Sequence, residues 1–246
     1  MRCMSFVVSC LMFVVLGLSG AQSVKAAGGD WTYEVAPYFW GAGLDGTVQI
    51  GGLPAAEVDA GFSDVWDSLE TGFAMFGVAR NNDWVVFADV NYLDTRVTER
   101  LPQRTVNLDN ESFVGMVALG QQSQWLGQEA QAEAYIGLRY YHFDTELGIS
   151  GLGSRSASED WVDPLVGINL AWPFANGWRI SLLADIGGFT VGSDLAWQVM
   201  PIVHYQFNPT WSGKLAYRWL DVDYEDSDYT SNLLTHGWMA GIGFCF

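Results

Sequence analysis

The sequence predicts an all-β fold, an antiparallel up-and-down transmembrane β-barrel of about ten strands, on three observations. At the C-terminal end Trp238, Ala240, Ile242, Phe244 and Phe246 are apolar at every second position, with mostly small residues between them. A period of two indicates a strand with two unlike faces. Half of the chain is hydrophobic, yet after the N-terminal segment no apolar run reaches the 18 residues of a membrane helix. Short turn signals recur along the whole chain.

Four short turn signals each stand beside a tryptophan, as expected for one aromatic girdle at a membrane interface. They are 81–83, 124–128, 175–177 and 208–210, with Trp84, Trp125, Trp178 and Trp211. Longer, more acidic connections are predicted at 51–70, about 99–104, 150–160, 190–194 and 225–230. The predicted strands between them are 31–48, 71–80, 84–98, 105–121, 130–146, 161–174, 178–189, 195–207, 211–222 and 234–246. Eight or twelve strands remain open, because segment 41–61 could add a hairpin or extend the first strand.

The N-terminus predicts a cleaved secretory signal peptide over residues 1–21, with an alternative end at 26, followed by one barrel domain over 22–246. Met1-Arg2 precedes an apolar run and then small residues. Cleavage would remove Cys3 and Cys10, so Cys245 would have no partner for an internal disulfide. The chain has 28 acidic and 11 basic residues, a formal charge of −17. This excess of negative charge argues against nucleic acid as a partner.

Charged residues fall on one face of each predicted strand, and that face is expected to line the lumen. A charge on the lipid face near the midplane costs about 2–4 kcal/mol. The alternation therefore predicts eight charged lumen residues: Glu34, Asp89, Glu133, Arg139, Arg179, Asp185, Lys214 and Arg218. Asp221 and Asp223 fall on the other face and are expected to stand above the bilayer.

Several stretches resemble one widespread family of proteobacterial outer-membrane β-barrel proteins, mostly of unassigned function. They are Val35–Trp40, Gly137–Phe143, Asp163–Gly167, Asp185–Asp194, Tyr217–Tyr224 and His236–Phe246. The resemblance implies a bacterial outer-membrane location with lipid and lipopolysaccharide around the barrel. The final strand resembles the C-terminal signature of such proteins, which implies recognition by the barrel assembly machinery through Trp238, Ile242, Phe244 and Phe246. The resemblance implies no activity.

Two readings of the lumen charges remain open at this stage. The charges could form ion pairs that plug a narrow barrel, or they could line a small diffusion channel for small solutes. About eight strands enclose only side chains, whereas water-filled porins need about 16–18 strands. Ten strands therefore favour the plugged interior, and with it a structural or surface-interaction role.

An enzyme is the third hypothesis, and we expect none. The histidines are His142, His204 and His236. A rim site for lipid chemistry could combine His142, Asp144 and His236, but His-x-Ser spacing is missing. We expect no cofactor.

Two loop features complete the candidates. The acidic run Asp221, Asp223, Glu225, Asp226 and Asp228 resembles a weak cation-binding loop, although it lacks the glycine and closing glutamate of an EF-hand. A solvated acidic loop is the favoured alternative. In segment 51–70, Ser63 and Asp64 could cap a helical turn that lies across the barrel mouth or covers an apolar edge.

Overall fold

The computed structural model describes residues 31–51, 55–101, 104–123, 130–149, 153–226 and 229–246. In this part of the chain, ten long strands form a closed antiparallel barrel, accompanied by one short strand and one short helix outside it. The elements are β1 (Thr32–Ile50), β2 (Ala56–Ala60), α1 (Phe62–Ser68), β3 (Leu69–Arg80), β4 (Trp84–Leu101), β5 (Arg104–Ser123), β6 (Gln131–Ile149), β7 (Gly153–Ala175), β8 (Trp178–Gly188), β9 (Leu195–Gln206), β10 (Trp211–Asp226) and β11 (Tyr229–Cys245).

The first and last strands close the ring. β1 pairs with β11 from Glu34 opposite Cys245 up to Ile50 opposite Tyr229. Tyr33 and Phe246 then exchange backbone hydrogen bonds of 3.1 and 3.0 Å. Every other strand of the ring pairs with its sequence neighbours, except that β1 meets β3 directly. The predicted fold class and the predicted count of ten barrel strands are therefore confirmed.

The two ends of the barrel differ. Tight turns at 81–83, 175–177 and 207–210 lie at the same end as both termini of the barrel, which we call the turn end. At the opposite end, which we call the loop end, most strands extend farther and the chain adds β2 and α1. The predicted turn at 124–128 and its Trp125 lie outside the described residues. Trp84, Trp178 and Trp211 are all exposed at the turn end, each in the first position of its strand.

Three predicted loops were wrong, because the strands continue through most of them. β4 and β5 pair as far as Leu101 and Arg104, β7 begins at Gly153, and β10 ends at Asp226. Residues 102–103, 150–152 and 227–228 lie outside the described part. Beyond the apolar part of the outer wall, both faces of a strand contact water. Polar residues can therefore continue the strand pairing there without being buried. The connection at 190–194 is a turn, as predicted.

The outer wall is apolar and the inner wall is mixed. The side chains of Ile136, Trp238 and Phe246 point outward and are 61–66% exposed. The alternate positions of the same strands point inward, and their side chains, among them Glu133, Tyr135, Arg139 and Met239, are buried. No helix among the described residues is long and apolar enough to cross a membrane.

The described residues of segment 51–70, which are 51 and 55–70, do not lie across the mouth. β1 pairs with β3 over Thr32–Pro37 and with β2 over Leu44–Val48, and α1 lies against the outer face of β1 between these two ladders. Pro37 has no backbone N–H to continue the β3 ladder. The N–H of Gly61 donates to Oδ2 of Asp64 at 3.0 Å, so Asp64 supplies the cap.

Candidate functional site: the barrel interior

A buried ion pair inside the barrel joins β6 to β8. Nη2 of Arg139 on β6 lies 2.8 Å from Oδ1 and 3.0 Å from Oδ2 of Asp185 on β8. Both side chains are buried. The Nε2 amide of Gln198 and the hydroxyl of Tyr135 also donate to Asp185, at 2.9 and 3.2 Å. Four donor bonds to one carboxylate compensate for its removal from water.

A second ion pair lies at the same level. Nη1 of Arg218 on β10 is 3.0 Å from Oδ2 of Asp89 on β4, on the far side of the ring. The Tyr38 hydroxyl donates to Asp89 at 2.8 Å, and the Arg218 guanidinium stacks over the Trp40 ring at 4.8 Å. Asp89 and Arg139 both pair in register with Met116, and Asp185 pairs with Gln198, whose partner Leu220 is two positions from Arg218. The two ion pairs therefore lie close together near the middle of the barrel. Together they span the lumen.

Aromatic rings lie in the lumen above these ion pairs, toward the loop end. Trp161 on β7 stacks on Tyr141 of β6 at 4.9 Å and on Tyr224 of β10 at 3.8 Å between ring centroids. Because β8 and β9 separate β7 from β10, the contact between Trp161 and Tyr224 crosses the barrel. We call Tyr141, Trp161 and Tyr224 the aromatic layer.

The turn between β8 and β9 folds inward onto the aromatic layer. Trp161 Nε1 donates to the hydroxyl of Ser193 at 2.8 Å, and the Ser193 N–H donates to Oδ1 of Asp163 at 2.7 Å. Ser193 is fully buried. Phe189 and Thr190 have φ values of 53° and 61°, which non-glycine residues rarely adopt. This tight reversal brings Ser193 into the mouth, beside the aromatic layer.

A cavity of about 290 Å³ occupies the opposite half of the lumen, at the turn end. Its polar groups form two sets. Glu34 binds the Lys214 ammonium at 2.7 Å and the Ser212 hydroxyl at 2.9 Å. Across the cavity, Glu133 binds Arg80 at 2.6 Å and Asn169 at 2.7 Å. We call this space the turn-end cavity.

His204 connects Lys214 to Ser181 in the wall of the turn-end cavity. Lys214 Nζ lies 3.1 Å from Nδ1 of His204, and Nε2 of His204 lies 2.7 Å from the Ser181 hydroxyl oxygen. The Lys214 ammonium can only donate hydrogen bonds, so Nδ1 of His204 is the acceptor and Nε2 carries the ring proton. Nε2–H then donates to Ser181, the opposite of what a general base for a serine nucleophile requires.

The eight residues predicted to line the lumen all lie on inward-facing positions. Seven of them form ion pairs with described residues, and three of the four pairs join two predicted residues. The pairs are Arg139–Asp185, Arg218–Asp89, Lys214–Glu34 and Arg80–Glu133. Arg179, the eighth, reaches only the side-chain oxygen of Gln131, at 3.4 Å, among its described contacts. Arg80 was missed, although its position at the end of an alternating strand could have indicated it.

The residues of the hypothetical rim enzyme are not brought together. His142 and Asp144 lie on β6, and His236 lies on β11, on the other side of the ring. His236 instead points outward from the barrel, with Nε2 2.6 Å from Oδ2 of Asp45 and Nδ1 2.7 Å from the Tyr217 hydroxyl. Sequence alone could not find this contact, because its members lie on three strands.

The acidic run 221–228 is not a loop up to Asp226, so both interpretations of it, as a solvated acidic loop and as a weak cation-binding loop, were wrong for those residues. β10 continues through them, and Asp221, Asp223 and Glu225 alternate with buried Val222 and Tyr224. Asp228 lies outside the described part. No cluster of three or more His, Cys, Asp or Glu side chains suited to a metal occurs among the described residues.

The loop-end surface carries a separate, exposed ion-pair set. Arg96 binds Asp109 at 2.8 Å and Glu70 at 3.1 Å, and all three side chains are exposed to water. The hydrogen bond and charge of Asp109, with the charge of Glu70, raise the pKa of the Arg96 guanidinium above its usual value. Such exposed pairs contribute little to stability.

The aromatic signature of the last strand faces outward. Trp238, Ile242 and Phe246 are exposed, and Phe244 packs edge-on against Trp211 at 5.0 Å. The Phe246 ring stacks on Tyr33 at 5.6 Å where the ring of strands closes. Cys245 points inward beside Glu34, on the strand position opposite it.

Solved structures share this architecture at low sequence identity. The outer-membrane protease OmpT of Escherichia coli matches over 88% of this chain and 97% of its own, with a TM-score of 0.50 and 9% identity. Ail, the attachment invasion locus protein of Yersinia pestis, matches over 89% and 100%, at 0.41 and 13%. OprG of Pseudomonas aeruginosa matches over 89% and 96%, at 0.36 and 12%.

No family model matches the sequence, and no curated protein matches it either. At 9% identity the likeness to OmpT concerns the fold alone. The chain therefore has the barrel architecture of outer-membrane proteins, and its role must be argued from its own side chains.

Proposed function

We propose that this chain is an outer-membrane barrel with a sealed lumen and a structural or surface-interaction role, and that it is neither a diffusion channel nor an enzyme. The observation that carries the proposal is the set of side chains across the lumen. Two buried ion pairs, Arg139–Asp185 and Arg218–Asp89, lie at one depth, with the aromatic layer directly above them. A pore would need water at this depth.

The outer wall supports the membrane location. Its outward side chains are apolar, from Trp84 and Trp211 at the turn end to Trp238 toward the loop end. Tryptophan is enriched where a barrel meets the two interfaces of a bilayer. In this orientation the turn end faces the periplasm and the loop end faces outside, with lipid and lipopolysaccharide as neighbours.

Two features support specific partners. The outward-facing residues of β11 end at Phe246, where β11 pairs with β1 and closes the ring of strands. The barrel assembly machinery would bind the last strand at this place. On the outer wall, Phe39, Phe62 and Trp66 form an exposed aromatic group in which ring centroids are 5.3–6.1 Å apart. Aromatic rings of this kind settle at a membrane interface.

Single-channel recording in planar bilayers tests the sealed lumen. The wild-type protein should give no steady current. A triple variant, Arg139→Ala, Asp185→Ala and Trp161→Ala, should conduct, because it removes one ion pair and the center of the aromatic layer. Trp238→Ala, an outward change, is the matched control and should stay silent. A steady wild-type current would instead establish a small diffusion channel.

The structural role has its own test in cells. Deletion of the gene should sensitise the envelope to detergents or reduce adhesion, while uptake of small solutes stays the same. A slower uptake of small solutes with an intact envelope would contradict the proposal.

A further inference from the structure

The turn-end cavity is blind. It opens between the strand ends near Gly177 and Gln206, and its inner end is closed by Asp89 and Tyr38, the lower members of the ion-pair level. A molecule that entered from the turn end would stop there. At about 290 Å³ the cavity is at the small end of ligand pockets.

The inner part of the turn-end cavity is apolar. Phe76, Val78, Phe87, Leu183 and Met200 line it, and they belong to one packed cluster of hydrophobic side chains. An apolar chain or ring that entered this space would leave water at a gain of about 25 cal/mol per Å² buried. The cavity therefore has a place for the apolar body of a ligand.

The mouth of the cavity carries a surplus of positive charge. Arg80, Arg179 and Lys214 stand against Glu34 and Glu133, three cations against two carboxylates. This occurs in a chain whose overall formal charge is −17. Arg179 is the cation left over, since its described contact is a 3.4 Å bond to Gln131 rather than an ion pair.

A neutral donor stands beside these cations. Ser181 accepts from Nε2–H of His204 at 2.7 Å, which leaves the Ser181 hydroxyl hydrogen for another acceptor. Ser181 is 4% exposed and lines the cavity, as does Arg179, two positions away on the same inward face of β8. A guanidinium and a hydroxyl donor on one face suit the two oxygens of a carboxylate.

We propose that the turn-end cavity binds a small amphiphilic organic anion, with its carboxylate at Arg179 and Ser181 and its apolar body against Phe87 and Leu183. The inference goes beyond the sealed barrel, because a barrel without ligand would be equally sealed. In the membrane orientation given above, the ligand would arrive from the periplasm.

Calorimetric titration of the full-length protein in phosphatidylcholine nanodiscs tests the site, with titrations into empty nanodiscs subtracted. The probes are 4-phenylbutyrate, its neutral amide and 4-phenylbutylamine, which share one apolar body and differ in head-group charge. The carboxylate should bind once per barrel. The amide should bind about tenfold more weakly, since one charge-assisted hydrogen bond is lost, and the amine should not bind.

Variants locate the binding. Arg179→Gln should weaken carboxylate binding about tenfold and leave amide binding unchanged. Ala171→Phe should abolish binding of both, because Ala171 lines the cavity and a phenyl ring would fill it. Arg96→Gln, which changes an exposed cation at the loop end, is the matched control. Each variant must keep the heat-modifiable mobility of a folded barrel, which separates loss of the site from loss of the fold.

Three results would overturn the proposal. One is equal or tighter binding of the amine, which would make the cavity a cation site. Another is unchanged carboxylate binding in Arg179→Gln or Ala171→Phe, which would place the probe elsewhere. The last is no saturable binding of any probe.

Discussion

Arg139 on β6 and Asp185 on β8 meet at 2.8 Å inside the barrel although β7 separates their strands. The contact therefore runs across the curved inner wall and ties three strands together. Asp185 gains further donors from Gln198 on β9 and from Tyr135 on β6. Removal of one partner leaves a buried charge without compensation, whereas removal of both does not.

Arg139→Met should destabilise the barrel by about 3–5 kcal/mol, because Asp185 stays buried and loses its cation. The double variant Arg139→Met, Asp185→Leu should recover much of that loss, since neither charge remains. Urea unfolding in detergent micelles, followed by tryptophan fluorescence, measures the change. Arg96→Met at the exposed loop-end pair is the control and should unfold as the wild type does. Equal stabilities of the single and double variants would show that the pair is not coupled.

Ile136→Arg should destabilise the barrel in a lipid bilayer by about 2–4 kcal/mol, because it puts a charge on the outer wall near its middle. Ile136 is 66% exposed and lies next to buried Tyr135. The measurement is reversible unfolding from phospholipid vesicles. Val191→Arg is the matched control, since Val191 is 72% exposed on the loop-end turn, where a charge would meet water. If the two variants cost the same, the outer wall near Ile136 does not face hydrocarbon.

The side of the wall on which each side chain lies could be predicted from the sequence, because side chains alternate strictly between the two faces of a strand. Once Ile136 and Leu138 are taken as outward, Arg139 must point inward, and it does. The partner of Arg139 could not be predicted in this way. Asp185 lies 46 positions away, and only the closure of the ring and its stagger decide which inward residues meet.

Segment 51–70 shows the opposite case. Its residues carry a helix cap that the sequence indicates, yet nothing local says on which side of the wall the helix lies. In the structure the helix packs closely on Gly41 of the outer wall, where a Cβ would come within 3.1 Å of the Phe62 ring. The loops at 99–104 and 225–230 were misjudged for a related reason. Their polar sequence predicted loops, but the part of a strand that extends beyond the membrane can be polar on both faces.

Phe246→Ala should reduce the fraction of protein assembled in the outer membrane of the host. Phe246 stacks on Tyr33 at the seam, and its backbone completes the ring of strands. Semi-native gel electrophoresis, in which a folded barrel migrates differently before and after boiling, measures the folded fraction. Phe174→Ala is a matched control, because Phe174 is another exposed aromatic residue near the turn end, 60% exposed against 61% for Phe246.

The same variants refolded in detergent separate recognition from stability. If the assembly machinery reads the last strand, Phe246→Ala should refold in detergent nearly as well as the wild type while it fails in cells. A defect of equal size in both settings would mean that Phe246 matters for the seam alone.

A fluorophore on α1 should report a membrane interface. Trp66 is 52% exposed on the outer wall, beside Phe39 and Phe62, and a solvated helix would gain nothing from three exposed rings. In a Cys245→Ser background, Trp66→Cys labelled with an environment-sensitive nitrobenzoxadiazole dye should emit at shorter wavelength in vesicles than the same label at Val191→Cys. Spin-labelled lipids should quench this label and leave the label at Val191→Cys unquenched, because α1 lies on the outer face of β1 between its pairings with β3 and β2. Emission and quenching equal to those at Val191 would show that α1 stands in water, and its aromatic group would then have to be explained by a protein partner.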